Sequence, residues 1–179
     1  MRVLVVGGAG SGKSAFAERL ACGLSASRTY VATMAGNGRE ARERIDRHRR
    51  QRAGLGFRTV ECVEGSLEAG VRAADKDGVV LLDDLGNLLA NAMFLADGSM
   101  ADPVAVQERL LREVVELCSC HAHAVVVGNL VGYEGRQTDD TTLAWVRAMG
   151  ALCCGLAQEL DTVVEVVAGV PCTVKGDVV

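Results

Sequence analysis

The strongest constraint on this chain lies in residues 7–14, Gly7-Gly8-Ala9-Gly10-Ser11-Gly12-Lys13-Ser14, directly after the apolar run Val3-Leu4-Val5-Val6. The spacing is GxxxxGK[ST], set between a buried strand and a helix, which is the pattern of a phosphate-binding loop. The residue types follow from the chemistry. Glycines let backbone N–H groups close around phosphate oxygens with no Cβ in the way. The following helix points its positive N-terminal end at the same anion. Lys13 supplies a charge to the β- and γ-phosphates, and the Ser14 hydroxyl is placed to ligate Mg²⁺.

Such a loop needs a parallel sheet around it, and the rest of the chain supplies one. Apolar runs predict strands at Arg2–Val6, Arg28–Thr33, Phe57–Glu61, Val79–Leu82, Ala124–Gly128 and Thr162–Ala168, with a final hairpin strand at Val170–Lys175. Helices are predicted over Lys13–Leu24, Arg39–Gln51, Leu67–Ala74, Leu85–Leu95, Pro103–Cys118 and Thr141–Leu160. Several strands are continuously apolar, as strands buried on both faces are. The expectation is a single-domain α/β fold of the P-loop NTPase type over residues 1–179, with a mostly parallel central sheet and helices on both faces. The polar stretch Gly132–Asp140 reads as a mobile loop near the carboxyl edge of the sheet, where ligands bind in such folds.

Composition narrows the function. Of the 179 residues 49 % are apolar, enough for a sizeable core, and the net charge of −4 argues against a general nucleic-acid binder. No apolar run reaches the roughly 18 residues of a membrane span. The first strand carries the phosphate loop, so it is not a removable signal, and the expected location is the cytoplasm. The seven cysteines are odd in number and scattered. Cys118, Cys120 and His121 sit together and Cys153-Cys154 form a second pair, but the spacings are not C-x-x-C. In a reducing compartment they act as small apolar residues.

Two further features carry chemistry. Val79-Val80-Leu81-Leu82-Asp83 is an apolar strand ending in an acid, the natural Mg²⁺-holding partner of Ser14. Asp84 follows and could take that role; Asp83 is preferred because it directly follows the strand. The second feature is the arginine-rich stretch Gly38–Arg52. At helical spacing Ala41, Ile45 and His48 share one face, with Arg44 and Arg52 a turn either side of the histidine. Nearby positive charge disfavours imidazolium, which leaves His48 neutral and nucleophilic, and the arginines are suited to phosphate oxygens. A solvated basic helix with an incidental histidine would read the same way.

The chain resembles the bifunctional adenosylcobinamide kinase / adenosylcobinamide-phosphate guanylyltransferase family. The likeness lies in the loop of residues 7–14, Tyr30-Val31-Ala32-Thr33, Arg44-Ile45-x-x-His48-x-x-x-Arg52, Thr59-Val60-Glu61, Leu81-Leu82-Asp83 followed by Asn91, Gly128-Asn129-Leu130-Val131-Gly132, and Asp161–Lys175. It runs nearly end to end, and the arginine–histidine segment is its most specific part.

The resemblance implies two reactions. One phosphorylates the terminal hydroxyl of the aminopropanol arm of adenosylcobinamide. The other moves GMP from GTP to the resulting phosphate through a guanylylated histidine, which is His48. The implied catalytic residues are His48, Lys13 and Asp83, and the implied metal ligands are Ser14 and Asp83. Nucleotide contacts are implied for Gly7, Gly8, Ala9, Gly10, Ser11, Gly12, Lys13, Ser14, Thr33, Met34, Ala35, Arg49, Arg50, Gln51, Arg52, Glu61 and Asp83. The implied substrates are GTP, or ATP in the phosphoryl step, together with Mg²⁺ and adenosylcobinamide or its phosphate. A homotrimer is implied, and neither nucleic acid nor a membrane span. The chain also departs from the family pattern. Leu130 stands where the pattern has Glu, Gly132–Asp140 lacks a Gly-Ile-Val-Pro segment, Cys153-Cys154 replace an Asn-Gln pair, and Ala53 replaces a proline. A P-loop kinase or NTPase with another acceptor, or a nucleotide-binding relative without one activity, are the other readings of the same residues.

Overall fold

A computed structural model describes residues 1–36, 38–73, 75–131 and 139–177. In chain order the elements are β1 (Arg2–Gly7), α1 (Lys13–Leu24), β2 (Arg28–Ala32), α2 (Arg39–Arg52), β3 (Phe57–Glu61), α3 (Glu68–Ala73), β4 (Val79–Asp83), α4 (Leu85–Met93), α5 (Pro103–Ser119), β5 (His123–Asn129), α6 (Asp140–Glu159), β6 (Thr162–Val167) and β7 (Val170–Lys175). Every expected element is present, with ends moved by one or two residues. Asp140, read as part of the loop, starts α6, because Asp139 caps that helix by accepting from the Thr142 N–H at 2.9 Å. The rest of that expected loop, residues 132–138, lies outside the described residues.

The strands form one seven-stranded sheet in the order β3-β2-β4-β5-β1-β6-β7. All pairs are parallel except the closing β6–β7 hairpin. Successive side chains on a strand point to opposite faces, and here both faces are apolar. Val3 and Val5 of β1, Val79 and Leu81 of β4, and Val125 and Val127 of β5 join Ala17 and Ala21 of α1 on one side. Leu4, Val80, Leu82, Ala124 and Val126 meet α4, α5 and α6 on the other side. The long helices with wide apolar stripes thus cover one face, and α1 and its small alanines cover the other.

This order leaves β1 and β4 separated by β5, with their carboxyl ends side by side. It sets the phosphate loop and the Asp83 strand end on one rim. Helix α2 is the least buried of the long helices. Ala41, Ile45 and His48 are half-buried, as their shared face predicts, and Arg52 is buried.

Leu81 is fully buried on the interior strand β4, between Tyr30 of β2 and Val125 of β5. Leu81→Ala should cost about 2–5 kcal/mol and lower the melting temperature by roughly 4–20 °C, measured by calorimetry. Val174→Ala, on the exposed β7, should stay within about 0.5 kcal/mol of the parent protein.

Candidate active site

The loop from β1 to α1 is built by close approach. A Cβ on Gly7 would stand 2.7 Å from the Val166 carbonyl oxygen and 2.5 Å from Ser11 Oγ, so only glycine fits. Gly12 adopts φ +90°, and a Cβ there would stand 3.4 Å from the Cα of Gly169 in the β6–β7 turn. The Gly169 N–H donates to the Ser11 carbonyl at 2.8 Å, so the hairpin turn braces the loop from behind. Lys13 Nζ donates to the Gly8 carbonyl at 3.2 Å, folded over the loop it serves.

Opposite the loop, Asp83 ends β4 and is buried. Ser14 Oγ donates to its Oδ1 at 3.3 Å and the Tyr30 hydroxyl donates to its Oδ2 at 2.9 Å. Burial, and then the neighbouring Asp84 charge, push its carboxyl up to about 6, against the pull of those two hydrogen bonds. Asp84 has a different task. It caps α4, accepting from the Asn87 N–H at 2.8 Å and from Asn87 Nδ2 at 2.9 Å. Thr33 exchanges two hydrogen bonds with the Asp84 backbone, at 2.7 and 2.8 Å, and its carbonyl accepts from Asn91 Nδ2. Of the two adjacent acids it is Asp83 that faces Ser14.

A cleft of about 830 Å³ opens over this rim, and α2 forms its far wall. The loop residues Gly8 to Ser14, Met34, His48, Arg49, Gln51, Arg52, Glu61 and Asp83 all line it. Gly7, Thr33, Ala35 and Arg50 do not. Thr33 lies fully buried behind the wall, and Arg50 faces solvent. Arg49 pairs with Glu61 at 2.9 Å on the cleft's outer side. Tyr30, Asn87, Asn129 and Leu130 also line the cleft. Tyr30 escaped the reading of single residues because an aromatic on a strand signals core; the acid that orients its hydroxyl lies on another strand.

His48 is half-buried, and its pKa is lowered from the ordinary histidine value of 6.5. Burial is the first cause, followed by the charges of Arg52, Arg47 and Arg44. The ring is therefore held neutral at neutral pH, with a free lone pair for an electrophile. The cleft joins a phosphate cradle, a buried acid beside a serine hydroxyl, and a neutral histidine among arginines. That combination suits transfer of phosphorus groups from a nucleoside triphosphate, with one protein nucleophile available. His121 and His123 lie elsewhere. Nδ1 of His121 is 2.6 Å from the Leu117 carbonyl oxygen, and His123 lies against the N-terminal amine.

The chain is similar to known proteins. A family model described as cobinamide kinase / cobinamide phosphate guanyltransferase matches residues 3–174. The bifunctional adenosylcobalamin biosynthesis protein CobP of Pseudomonas aeruginosa is 32 % identical over 180 residues, which covers 99 % of each chain. Among solved structures, an isolated ATPase domain aligns with a TM-score of 0.54 at 14 % identity, over 92 % of this chain and 68 % of that one. An ATPase from the type III secretion system of pathogenic bacteria gives 0.52 at 15 % identity, over 92 % of this chain and 51 % of that one. At such identities the two ATPases speak for the P-loop NTPase fold alone, whereas the family match extends through both walls of the cleft. The chain belongs to the cobinamide kinase / cobinamide phosphate guanyltransferase family, a family of bifunctional enzymes of cobalamin biosynthesis.

Proposed function

We propose that both transfers run in this one cleft, with GTP seated on the P-loop and His48 as the residue that carries GMP. The observation that carries this reading is the position of a neutral, half-buried His48 on the same cleft as the loop of residues 7–14. In the first transfer the terminal hydroxyl of adenosylcobinamide attacks the γ-phosphorus. The bond to the β,γ-bridging oxygen breaks, the nucleoside diphosphate (GDP) leaves with the electron pair, and the hydroxyl proton is lost to solvent. In the second transfer a His48 ring nitrogen attacks the α-phosphorus of GTP, and pyrophosphate leaves. A phosphate oxygen of the cobinamide phosphate then displaces the histidine, breaking the P–N bond and restoring the free ring.

Lys13 and the loop N–H groups offset the charge that gathers on the phosphates. Arg44, Arg47 and Arg49 on α2 do the same near the histidine. Ser14 Oγ and the Asp83 carboxylate are hard oxygen donors on one spot, and the raised affinity of Asp83 for a proton is the mark of an anion short of a cation. They would hold Mg²⁺, which when bound neutralises phosphate charge. ATP as an alternative to GTP in the phosphoryl step, a cytoplasmic location and a homotrimer complete the reading. The exposed β7, an open sheet edge carrying Val170 and Val174, is compatible with a subunit contact.

Incubation with α-labelled GTP and Mg²⁺, followed by denaturing electrophoresis, tests the histidine chemistry. The wild type should carry an acid-labile, base-stable label. His48→Ala should lose it and still phosphorylate cobinamide, and Lys13→Ala should lose both reactions. A wild type that binds GTP and never becomes labelled would overturn the guanylyl half.

The rate of labelling should fall as the pH drops through the His48 pKa, with the midpoint of the falling limb below the ordinary histidine value of 6.5. Arg47→Ala removes a cation that disfavours imidazolium, so its falling limb should move to higher pH. An unmoved limb would separate the observed pH dependence from His48.

Asp83→Asn should abolish Mg²⁺-dependent turnover while leaving metal-free GTP binding, followed by equilibrium titration, nearly intact, because backbone amides still cradle the phosphates. Loss in Asp84→Asn with none in Asp83→Asn would transfer the metal role to the other acid.

A further inference from the structure

At the base of the cleft, where Arg52 and Tyr30 form part of the lining, lies a buried charged contact that has no part in either transfer as written above. Glu18 stands on α1 one turn beyond Ser14, and Arg52 ends α2 one turn beyond His48. The Arg52 and Glu18 side chains are 7 % and 8 % exposed, with Arg52 Nη1 3.7 Å from Glu18 Oε1. Both atoms are buried without a hydrogen-bond partner. The Arg52 guanidinium carbon lies over the Tyr30 ring, 3.4 Å from its centre, and the Tyr30 hydroxyl is the one that donates to Asp83. Phe57 holds the Tyr30 ring from its edge at 6.2 Å. One connected set of side chains thus runs from the histidine helix to the phosphate-loop helix and to the Asp83 strand.

A buried ion pair adds little net stability, because desolvation cancels most of the attraction; its better-attested use is to fix register. Here the register has a defined content. Each charged residue is one helical turn behind a residue of the cleft, so the contact fixes the offset between α1 and α2 at the place where that offset sets the distance from histidine to phosphate. Among the described residues of α2, Arg52 is also the most buried, and the other inward residues are only half-buried. Its guanidinium is engaged by the Tyr30 ring and, at Nη1, by Glu18.

We propose that Arg52 and Glu18 are positioning residues: their buried contact over Tyr30 sets where His48 stands relative to phosphates held on the P-loop, and Arg52 is not itself a nucleotide ligand. The proposal rests on the guanylyl-transfer reading, since positioning requires a transfer to position. It predicts a division between the two activities. Phosphoryl transfer uses only α1, the loop and β4, and is indifferent to the offset of α2. Labelling of His48 depends on it.

Glu18→Gln keeps the side chain's shape and removes its charge. In single-turnover labelling with α-labelled GTP its maximal rate should fall roughly 10- to 100-fold, the scale of a misplaced reacting group. The GTP concentration at half-maximal rate, and the phosphorylation of cobinamide, should stay as in the wild type. The double variant Glu18→Leu with Arg52→Met replaces the pair by apolar side chains of similar size and should fold even if a single variant does not. It should melt near the wild-type temperature and still label slowly. Wild-type labelling by either folded variant would overturn the proposal. So would a double variant that labels at the full maximal rate but requires far more GTP, which would make Arg52 a nucleotide contact. A wild type that binds GTP and is never labelled would remove the guanylyl-transfer reading and this proposal with it.

Discussion

The site depends on a carboxylate placed where water scarcely reaches. Asp83 ends the interior strand β4 with its side chain buried, and two hydroxyls from different elements donate to it. One comes from the phosphate-loop helix and the other from the neighbouring strand. A buried acid with incomplete compensation holds its partners tightly, because each unmade hydrogen bond would cost more than it would in water. Ser14, Tyr30 and, through Tyr30, Arg52 are ordered by that requirement. The cleft is thus preorganised by the need to accommodate one charge, and the same charge makes the spot attractive to a cation.

The parts of the site that are contiguous in the chain were legible in the sequence. The loop of residues 7–14 and the acid closing Val79–Asp83 announce themselves by spacing and by flanking strands. The inward face of α2 followed from helical periodicity, and Ala41, Ile45 and His48 are half-buried in the structure. What could not be read is how residues distant in sequence meet. Nothing in Glu18 marks it as buried; its neighbours on α1 are a mixture of alanine, leucine and arginine. Its partner Arg52 is 34 positions away. Arg52 stands in an arginine run whose obvious partner is phosphate, and only its place a turn after His48 on the inward face hints at a buried side chain. Thr33 adjoins a strand end in the cleft wall, yet its hydroxyl is committed to the Asp84 backbone.

The departures from the family pattern are distributed unevenly over the structure. Leu130 and Val131 stand at the cleft's lip, 43 % and 41 % exposed. The Leu130 N–H donates to the Gly7 carbonyl at 3.0 Å, so an apolar side chain is fixed beside the phosphate loop. Cys153 lies deeper, against Gly128, where a Cβ would stand 3.2 Å from its sulfur; burial raises its thiol to about 11 and keeps it un-ionised. One change alters what the cleft presents to a ligand, while the other is a matter of packing behind β5.

The hairpin that braces the phosphate loop has a consequence for the order of assembly. The loop occupies residues 7–14, but Gly7 is walled by the Val166 carbonyl and Ser11 is tied to Gly169. More than 150 residues separate the two sides of that contact. During synthesis the loop of residues 7–14 cannot take its final shape until β6 and the turn at Gly169 have emerged and β6 has paired with β1. Closing so long a loop is entropically costly and slow relative to the local turns and helices that form before it. Nucleotide affinity is therefore a late property of this chain. It reports completion of the whole sheet, and a lesion in the distant hairpin would present as a defect in holding phosphate.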